Sequence, residues 1–583
     1  VGEHGASHAR EAGDKPIGTD LVDGSTPVAA SNANGNANGN ANGNGNGGRL
    51  SRPQRIEPSG TVEASDVRAG IAAWRPGPRV RVLLLLNVTA AFFYLTWWLE
   101  PKHIGVPVLF ILLAAAEVFN VVHQFGMWWA IWATRVDPVP TATRTYSIDV
   151  LIPTMGEPIH VLRRTIKAAV GMDLPHRTLV LDDAGRPEVE HLAKRLGAEY
   201  QSRPPLDRGG AKAGNLNHAL RRTSGELFAV FDADHVPRHD FLRWLVGYFE
   251  DQNIAFVQTP QYYGNSTDNR VARGAYQQQA IFYGPICRGK NGLDSAFCCG
   301  TNVLFRRTAI EDVGGFDERS VVEDFVTSMR VHRKGWSSVY FPYVLAVGMG
   351  PTNLTSYFRQ QFRWARGSVG AFASLEPFKR GFSLAQRFQY LLATTFYLIG
   401  AVTSIYVVLP IVYLFTGWSA FSASSGTFVF FYFPYLFLGL LTVRWGLGGR
   451  LRVEHLQFTF GMFPVYAVAS ISAILHLPAR FLVTGTSDSD ARRRPPALAW
   501  VTISSFVATI VAIGWGLVRR DLDPRTFTNI SWAIVNLLLC SGIVRAAYRE
   551  LRGMSHAQAR RPQPERLEPV AGGRSLEPFG VAT

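Results

Sequence analysis

Apolar runs of membrane-crossing length divide this sequence into a polar middle and two flanking sets. Val82–Leu99 and Val106–Trp132 come before the middle; Tyr390–Phe415, Phe428–Val443, Leu498–Val518 and Ile530–Val544 come after it. About 18–20 apolar residues in a helix cross the ~30 Å of hydrocarbon in a bilayer. Each run therefore reads as a span, with a buried helix of a soluble core as the alternative for any one of them. A chain built this way must fold in two solvents, and the polar middle is long enough to hold a core of its own.

The formal net charge of +15 would suit nucleic acid, but Lys and Arg gather at span ends, as at Arg75, Arg79, Arg81 and Arg492–Arg494. That is the positive-inside pattern, so no nucleic-acid partner is expected. Arg79 and Arg81 hold the N-terminal side in the cytoplasm, and two spans return the chain there at Arg135. The expectation is a multi-pass protein of the plasma (inner) membrane with its polar domain cytoplasmic. Cys287, Cys298, Cys299 and Cys540 make no disulfide framework.

Residues 1–70 carry an Asn/Gly-rich tract with little apolar surface to bury and are expected to be disordered. No secretory leader is expected, because the first apolar run starts at Val82 and is long enough to span. Two spans are placed at 79–135, two at 389–444 and two at 498–546, with a basic tail at 547–583. Residues 353–388 mix basic and aromatic side chains ahead of a span, which suits interfacial helices. The stretch 455–480 is apolar but interrupted by Gln457, Pro464, Ser470, Ser472 and His476. It reads as interfacial or re-entrant, since a span there would put Arg492–Arg494 outside.

Within 146–352, short β-rich runs alternate with helical ones: Ile148–Ile152 and Val161–Val170, Thr178–Leu181 and Val189–Leu196, Leu227–Phe231 and Phe241–Phe249. Alternation of this kind predicts an α/β domain with a mostly parallel sheet. Ligands of such sheets collect at the carboxyl ends of the strands. Pro153-Thr154, Asp182-Asp183 and Asp232-Ala233-Asp234 all fall there.

An isolated Asp-x-Asp is no more than two turn carboxylates, here before Pro237. In company, Asp232 and Asp234 offer the hard oxygens that hold Mg²⁺ or Mn²⁺, which neutralises a leaving diphosphate. Glu323-Asp324 opens a helical stretch and would suit its N-terminus. Asp324 is also placed to act as a general base on an acceptor hydroxyl, kept ionised by the helix end. One base without a second carboxylate nucleophile predicts direct displacement, hence a β-linked product from an α-linked donor. Lys212 and Arg363 are candidates for phosphate oxygens. Trp364 offers a flat apolar face to a sugar ring, or an interfacial anchor.

From Asp149 to Arg366 the chain resembles a family 2 glycosyltransferase of the cellulose synthase type, bacterial catalytic subunits included. The resemblance is carried by Ile152-Pro-Thr154-Met-Gly-Glu157-Pro158, Leu181-Asp-Asp183, Asp232-Ala-Asp234-His235, Phe297-Cys-Cys299-Gly-Thr301, Val322-Glu-Asp324 and Gln360-Gln-Phe-Arg363-Trp364. It implies a GT-A fold set between transmembrane helices, a UDP-sugar donor, Mg²⁺ on Asp234 and Asp232, and Asp324 as catalytic base. Thr154, Glu157, Asp183, Lys212, Asp232, Gln360 and Arg363 would then serve the donor. Trp364, Cys299 and Glu323 would stand at the acceptor end. At 481–497, Phe481-Leu-Val483-Thr484-Gly-Thr486 resembles a gating loop that closes over the donor, excluding water; a plain polar connector is the alternative.

Three departures stand out: Met155-Gly156 for the usual Tyr-Asn, Gln361 for an Arg, and Thr486 for a Lys. Fewer cations near the diphosphate would change donor contacts or linkage. The short tail after Val544 leads us to expect no cyclic-di-GMP-binding barrel. The implied activity is processive, inverting polymerisation of a β-linked glycan, β-1,4-glucan from UDP-glucose, with export through the spans past aromatic helices such as Phe428–Tyr435. Alternatives are another polymer (β-1,3-glucan, mixed-linkage glucan, glucomannan, or a chitin- or hyaluronan-type chain), a non-processive lipid glycosyltransferase and an inactive export channel. Expected partners are the nucleotide sugar, the growing polysaccharide, the bilayer and a periplasmic or cell-surface accessory protein.

Overall fold

The computed structural model describes residues 76–135, 138–446, 452–477 and 496–556. The tail expected at 1–70, residues 481–495 of the expected loop, with Phe481, Val483 and Thr484, and residues 557–583 lie outside the described residues, whereas 547–556 of the expected basic tail continue the last helix.

Two apolar helices, α1 (Pro78–Trp98) and α2 (Pro107–Ala133), lead into the α/β domain. Its first half alternates β1 (Ile148–Thr154), α3 (Ile159–Val170), β2 (Arg177–Asp182), α4 (Pro187–Leu196), β3 (Glu199–Gln201), α5 (Ala211–Leu220) and β4 (Leu227–Val230). The second half holds β5 (Val236–Pro237), β6 (Ile254–Gln258), β7 (Tyr262–Tyr263), α6 (Arg270–Ile281), β8 (Val303–Arg306), α7 (Glu323–Arg333), β9 (Ser337–Tyr340) and β10 (Ala346–Gly348). Then come α8 (Leu354–Ala373), α9 (Leu384–Thr395), α10 (Ile399–Thr416), α11 (Ser425–Gly446), α12 (Val453–Gly461), α13 (Phe463–Ile474), α14 (Ala497–Arg519) and α15 (Pro524–His556).

The main sheet has seven strands in the order β3-β2-β1-β4-β8-β6-β9. Its pairings are parallel except at β8, which runs against both β4 and β6. This is the mostly parallel α/β arrangement between apolar helices that the GT-A expectation requires. A small sheet, β5-β10-β7, lies beside it.

β1 is buried at every residue, as a central strand covered on both faces must be. Val150 and Ile152 join a core with Leu162 and Ile166 of α3 and Val189 and Leu192 of α4. Leu151 points the other way, into a core with Leu216 of α5, Phe305 and Val331 of α7. The one-residue alternation of the strand thus builds two cores from one sequence run.

Among the described residues, six helices are long and apolar enough to cross a membrane: α1, α2, α9 continued by α10, α11, α14 and α15. They coincide with the six apolar runs. Their outward faces expose large apolar side chains such as Phe92, Phe93, Ile111, Phe430 and Val518, surface that water would penalise and lipid would not. The pair α12 and α13 would make a seventh span if counted as one, but it bends by 43° at Met462, where Pro464 sits in the first turn of α13. A proline there removes a backbone donor and starts a new helix rather than extending the old one.

Between the spans, polar side chains find partners. Tyr406 donates to Glu117 at 2.9 Å, Asn120 to Tyr406 at 2.7 Å, Gln124 to Asn87 at 3.2 Å, and Asn87 to the Tyr435 carbonyl at 2.9 Å. Interior pairing of this kind is what a low-dielectric surrounding demands.

Candidate active site

The parallel register sets Thr154 beside Asp182 at the carboxyl edge of the sheet. The loop after β1 folds onto the Glu157 carboxylate, which accepts from the Thr154 hydroxyl at 2.6 Å and from the backbone N–H groups of Met155 and Gly156 at 2.9 and 3.1 Å. Arg186 braces this corner: it donates to the Thr154 hydroxyl at 2.9 Å, to the Glu157 carbonyl at 2.8 Å and to Asp182. Asp183 is buried and gripped at both oxygens by Arg203, at 2.8 and 2.6 Å. Arg203 also holds the carbonyls of Asp207, Gly209 and Ala211, so the Asp183 carboxylate positions the loop leading to Lys212.

Lys212 stands in the first turn of α5. Its ammonium donates to Asp232 and, at 2.7 Å, to the Gly300 carbonyl. Burial works against the charged form, yet Asp232 and Glu323 hold Lys212 above its ordinary value. Asp232 is held below its ordinary value against the same burial, by Lys212 and His235. The Asp232 backbone N–H donates to the Thr301 hydroxyl at 2.8 Å, which ties the end of β4 to the Phe297–Thr301 loop. Cys299 lies in that loop, its N–H bonded to Gln258 and its carbonyl to Gln261, both at 2.8 Å.

Asp232, Asp234 and His235 bring one ligand atom each to within 4.8 Å of one another. His235 Nδ1 is 3.0 Å from Asp234, and its buried Nε2 has no partner. Two hard carboxylates and a borderline imidazole suit a small divalent cation.

Asp324 occupies the first turn of α7, where its Oδ1 accepts from the Phe325 N–H at 2.8 Å. Its other oxygen faces Gly300. A Cβ built on Gly300 would stand 2.8 Å from Asp324 Oδ2 and 3.7 Å from Lys212 Nζ, and Gly300 has φ +82°. Glycine is thus required there twice over. The helix end does not dominate the acidity of Asp324, contrary to expectation: burial and then the neighbouring Glu323 push its carboxyl up to about 7. Glu323 is raised as well, chiefly by burial.

α8 starts with a capping box in which Asn353 accepts from the Ser356 N–H at 2.8 Å. Spacing of three and four residues puts Gln360, Arg363 and Trp364 on neighbouring positions of one face. Gln360 donates to the Tyr263 hydroxyl at 3.3 Å, and the Arg363 charge acts on Asp232, Glu323 and Asp324. Trp364 is half-buried. At Gly367 the helix touches Val322, the residue before Glu323, so closely that a Cβ would come within 2.4 Å. Gln361 is on the other face, buried, accepting from Tyr466 of α13 at 2.9 Å.

Thr154 and Glu157, Asp183, Lys212, Asp232 and Asp234, Cys299, Glu323 and Asp324, Gln360 and Arg363 therefore line one edge of the sheet. Sequence reasoning missed Arg186, Arg203 and Tyr263 as supports and His235 as a candidate metal ligand beside Asp232 and Asp234. Isolated arginines in loops carry no spacing signal, whereas His235, next to Asp234, did.

Residues 227–443 match a family model described as glycosyl transferase family group 2. The chain carries a family 2 glycosyltransferase domain. Its curated relatives include the cellulose synthase catalytic subunit (UDP-forming) of Komagataeibacter sucrofermentans, 33% identical over 499 residues, 79% of this chain and 65% of that protein. Cellulose synthase 1 of Komagataeibacter xylinus is 29% identical over 504 residues, 80% of this chain and 32% of that protein. The chain thus spans less than two thirds of the length of either. Among solved structures, a mannosyltransferase from Pyrobaculum calidifontis in complex with GDP-Man and Mn²⁺ covers 64% of this chain and 100% of its own at 17% identity, with a TM-score of 0.45. So distant a likeness adds nothing to the sheet order itself. The match reaches from β4 into α11, and so includes the Asp-x-Asp, Asp324 and the α8 face.

Proposed function

We propose that this chain is a processive, inverting membrane glycosyltransferase that polymerises β-1,4-glucan from UDP-glucose and passes the product through its own spans. The observation that carries the reading is the meeting of Asp324, Lys212 and Asp232 around Gly300. A candidate base, a phosphate-binding cation and a metal-binding carboxylate share one backbone loop. The relatives' names supply UDP as the leaving group and cellulose as the product.

In this reading Thr154, Glu157 and Asp183 shape the pocket for the nucleotide, while Lys212, Gln360 and Arg363 face the diphosphate. Asp232 and Asp234 would hold Mg²⁺ or Mn²⁺, which when bound neutralises charge on the leaving group. Asp324 takes the proton of the acceptor hydroxyl as that oxygen attacks the anomeric carbon and the sugar–phosphate bond breaks. Inversion follows from a single displacement. Trp364, Cys299 and Glu323 flank the acceptor. The polar and aromatic interior of the spans supports export, since sugar rings slide over aromatic faces. Phe481, Val483 and Thr484 would close over the donor. The domain faces the cytoplasm of the inner membrane, and a periplasmic or surface subunit would receive the glycan.

Membranes containing the protein, given each radiolabelled UDP- or GDP-sugar in turn, test the proposal. UDP-glucose is expected to yield an insoluble product that a β-1,4-glucanase digests. Label taken only from another sugar, a product resistant to that enzyme, or α-linkages by NMR would refute it.

A further inference from the structure

At the end of α15 nearest the glycosyltransferase domain, Arg545 and Arg549 stand one turn apart, both exposed. α6 brings Arg270 and Arg273 to the same place, because α6, α12 and α15 share a core of Val271, Ala275, Phe458, Ile543, Ala546 and Ala547. The charges acting on Arg270 are those of Arg545, Arg549 and Arg273, opposed by Glu454. Arg270 Nε is buried and has no hydrogen-bond partner. Glu550, the next acid along α15, is already occupied: it accepts from the Leu354 N–H at 2.6 Å. Arg545 is steadied within its own helix by the Ser541 carbonyl and hydroxyl, at 3.1 and 2.9 Å.

Four guanidiniums gathered against Glu454 and Glu550 keep an excess of positive charge and repel one another unless an anion joins them. Their height matters as much as their number. Counted from Pro524 at ~1.5 Å per residue, Arg545 lies ~32 Å along α15, about the thickness of the hydrocarbon. The cluster therefore sits at headgroup level, where anionic lipids present phosphate and basic clusters between helices bind it.

We propose that Arg270, Arg273, Arg545 and Arg549 form a site for the phosphate of an anionic lipid headgroup. The site needs only the spans, not the transferase reading, so the two can fail separately. It links the bilayer surface to α6, which also carries the Gln279 that donates to Tyr263 at 2.7 Å, beside Gln360.

The full chain in nanodiscs of mixed phosphatidylglycerol and phosphatidylcholine provides the test, with bound lipid read by native mass spectrometry. Phosphatidylglycerol is expected to be retained over phosphatidylcholine. The double variant Arg545→Gln/Arg549→Gln should lower its affinity about 25-fold, at about a factor of five per basic side chain. The exposed pair Lys194→Gln/Arg195→Gln on α4 removes the same charge elsewhere and should change nothing. Should the double variant fail to fold, Arg549→Gln alone is expected to lose about fivefold. Equal retention of the two lipids, or unchanged affinity in the folded variants, overturns the proposal. So does release of the lipid by millimolar inorganic phosphate, which would mark a site for free anions.

Discussion

Asp324 Oδ2 stands 2.8 Å from where a Cβ on Gly300 would lie, in space that any larger residue would fill. The contact sets the base at a fixed distance from the Gly300 carbonyl that holds Lys212. Gly300→Ala would force a left-handed conformation costing about 1–2 kcal/mol and push the Asp324 carboxylate aside. Displacements near 1 Å at a reacting group cost about a hundredfold in rate. We expect kcat for UDP release to fall by about that factor while UDP affinity, measured by calorimetry, stays within a few-fold. A variant with undiminished kcat would show that this contact does not position the base.

The raised pKa of Asp324 gives a pH dependence with a definite sign. A base works in its ionised form, and burial together with Glu323 holds the carboxyl protonated up to about 7. Activity is therefore expected to be full above that pH and to fall about tenfold per unit well below it. Glu323→Gln removes a neighbouring negative charge, so the midpoint should move to lower pH. Initial rates across the range check both statements; a midpoint that stays or rises in Glu323→Gln would break the link between the two acids. Asp324→Asn should bind UDP and transfer no sugar.

Chelation followed by metal titration examines the acidic pair. Activity should vanish with chelator and return with Mn²⁺ or Mg²⁺. Asp234→Asn, with one ligand charge fewer, should raise the half-saturating metal concentration about tenfold or more. If full activity survives exhaustive chelation, the Asp232, Asp234 and His235 cluster has another purpose.

Strand ends and spans were legible because their signals are local. Alternation placed β1, β2 and β4, and the edge of the sheet follows from chain direction, so Thr154, Asp183 and Asp232 could be assigned to one side. Length and apolarity placed six helices. The reversal of β8 was not legible, because strand direction depends on which neighbours a strand finds. Nor was the grip of Arg203 on Asp183, a contact 20 residues apart with no periodic pattern. The acidity of Asp324 was misjudged for a related reason: helix-end stabilisation can be read from sequence, burial cannot.

Gln361 shows how orientation changes the meaning of a residue. Read along the chain, it replaces a cation near the diphosphate. Yet two helical steps of about 100° each turn it away from Arg363, and its carbonyl accepts from Tyr466, which in turn accepts from Gln278, itself bonded by Tyr357. This chain of bonds ties α6, α8 and α13 beneath the site. Tyr466→Phe would leave the buried Gln361 carbonyl without this partner, at about 1–3 kcal/mol, and take the acceptor from the half-buried Gln278 amide. The thermal midpoint should drop while KM for the donor stays the same. Gln361→Arg, which restores the cation usual in cellulose synthases, should bury an unpaired charge against α13, at a cost of about 3–5 kcal/mol, and bring no gain in donor affinity. A tighter donor KM in that variant would mean that this position faces the diphosphate after all.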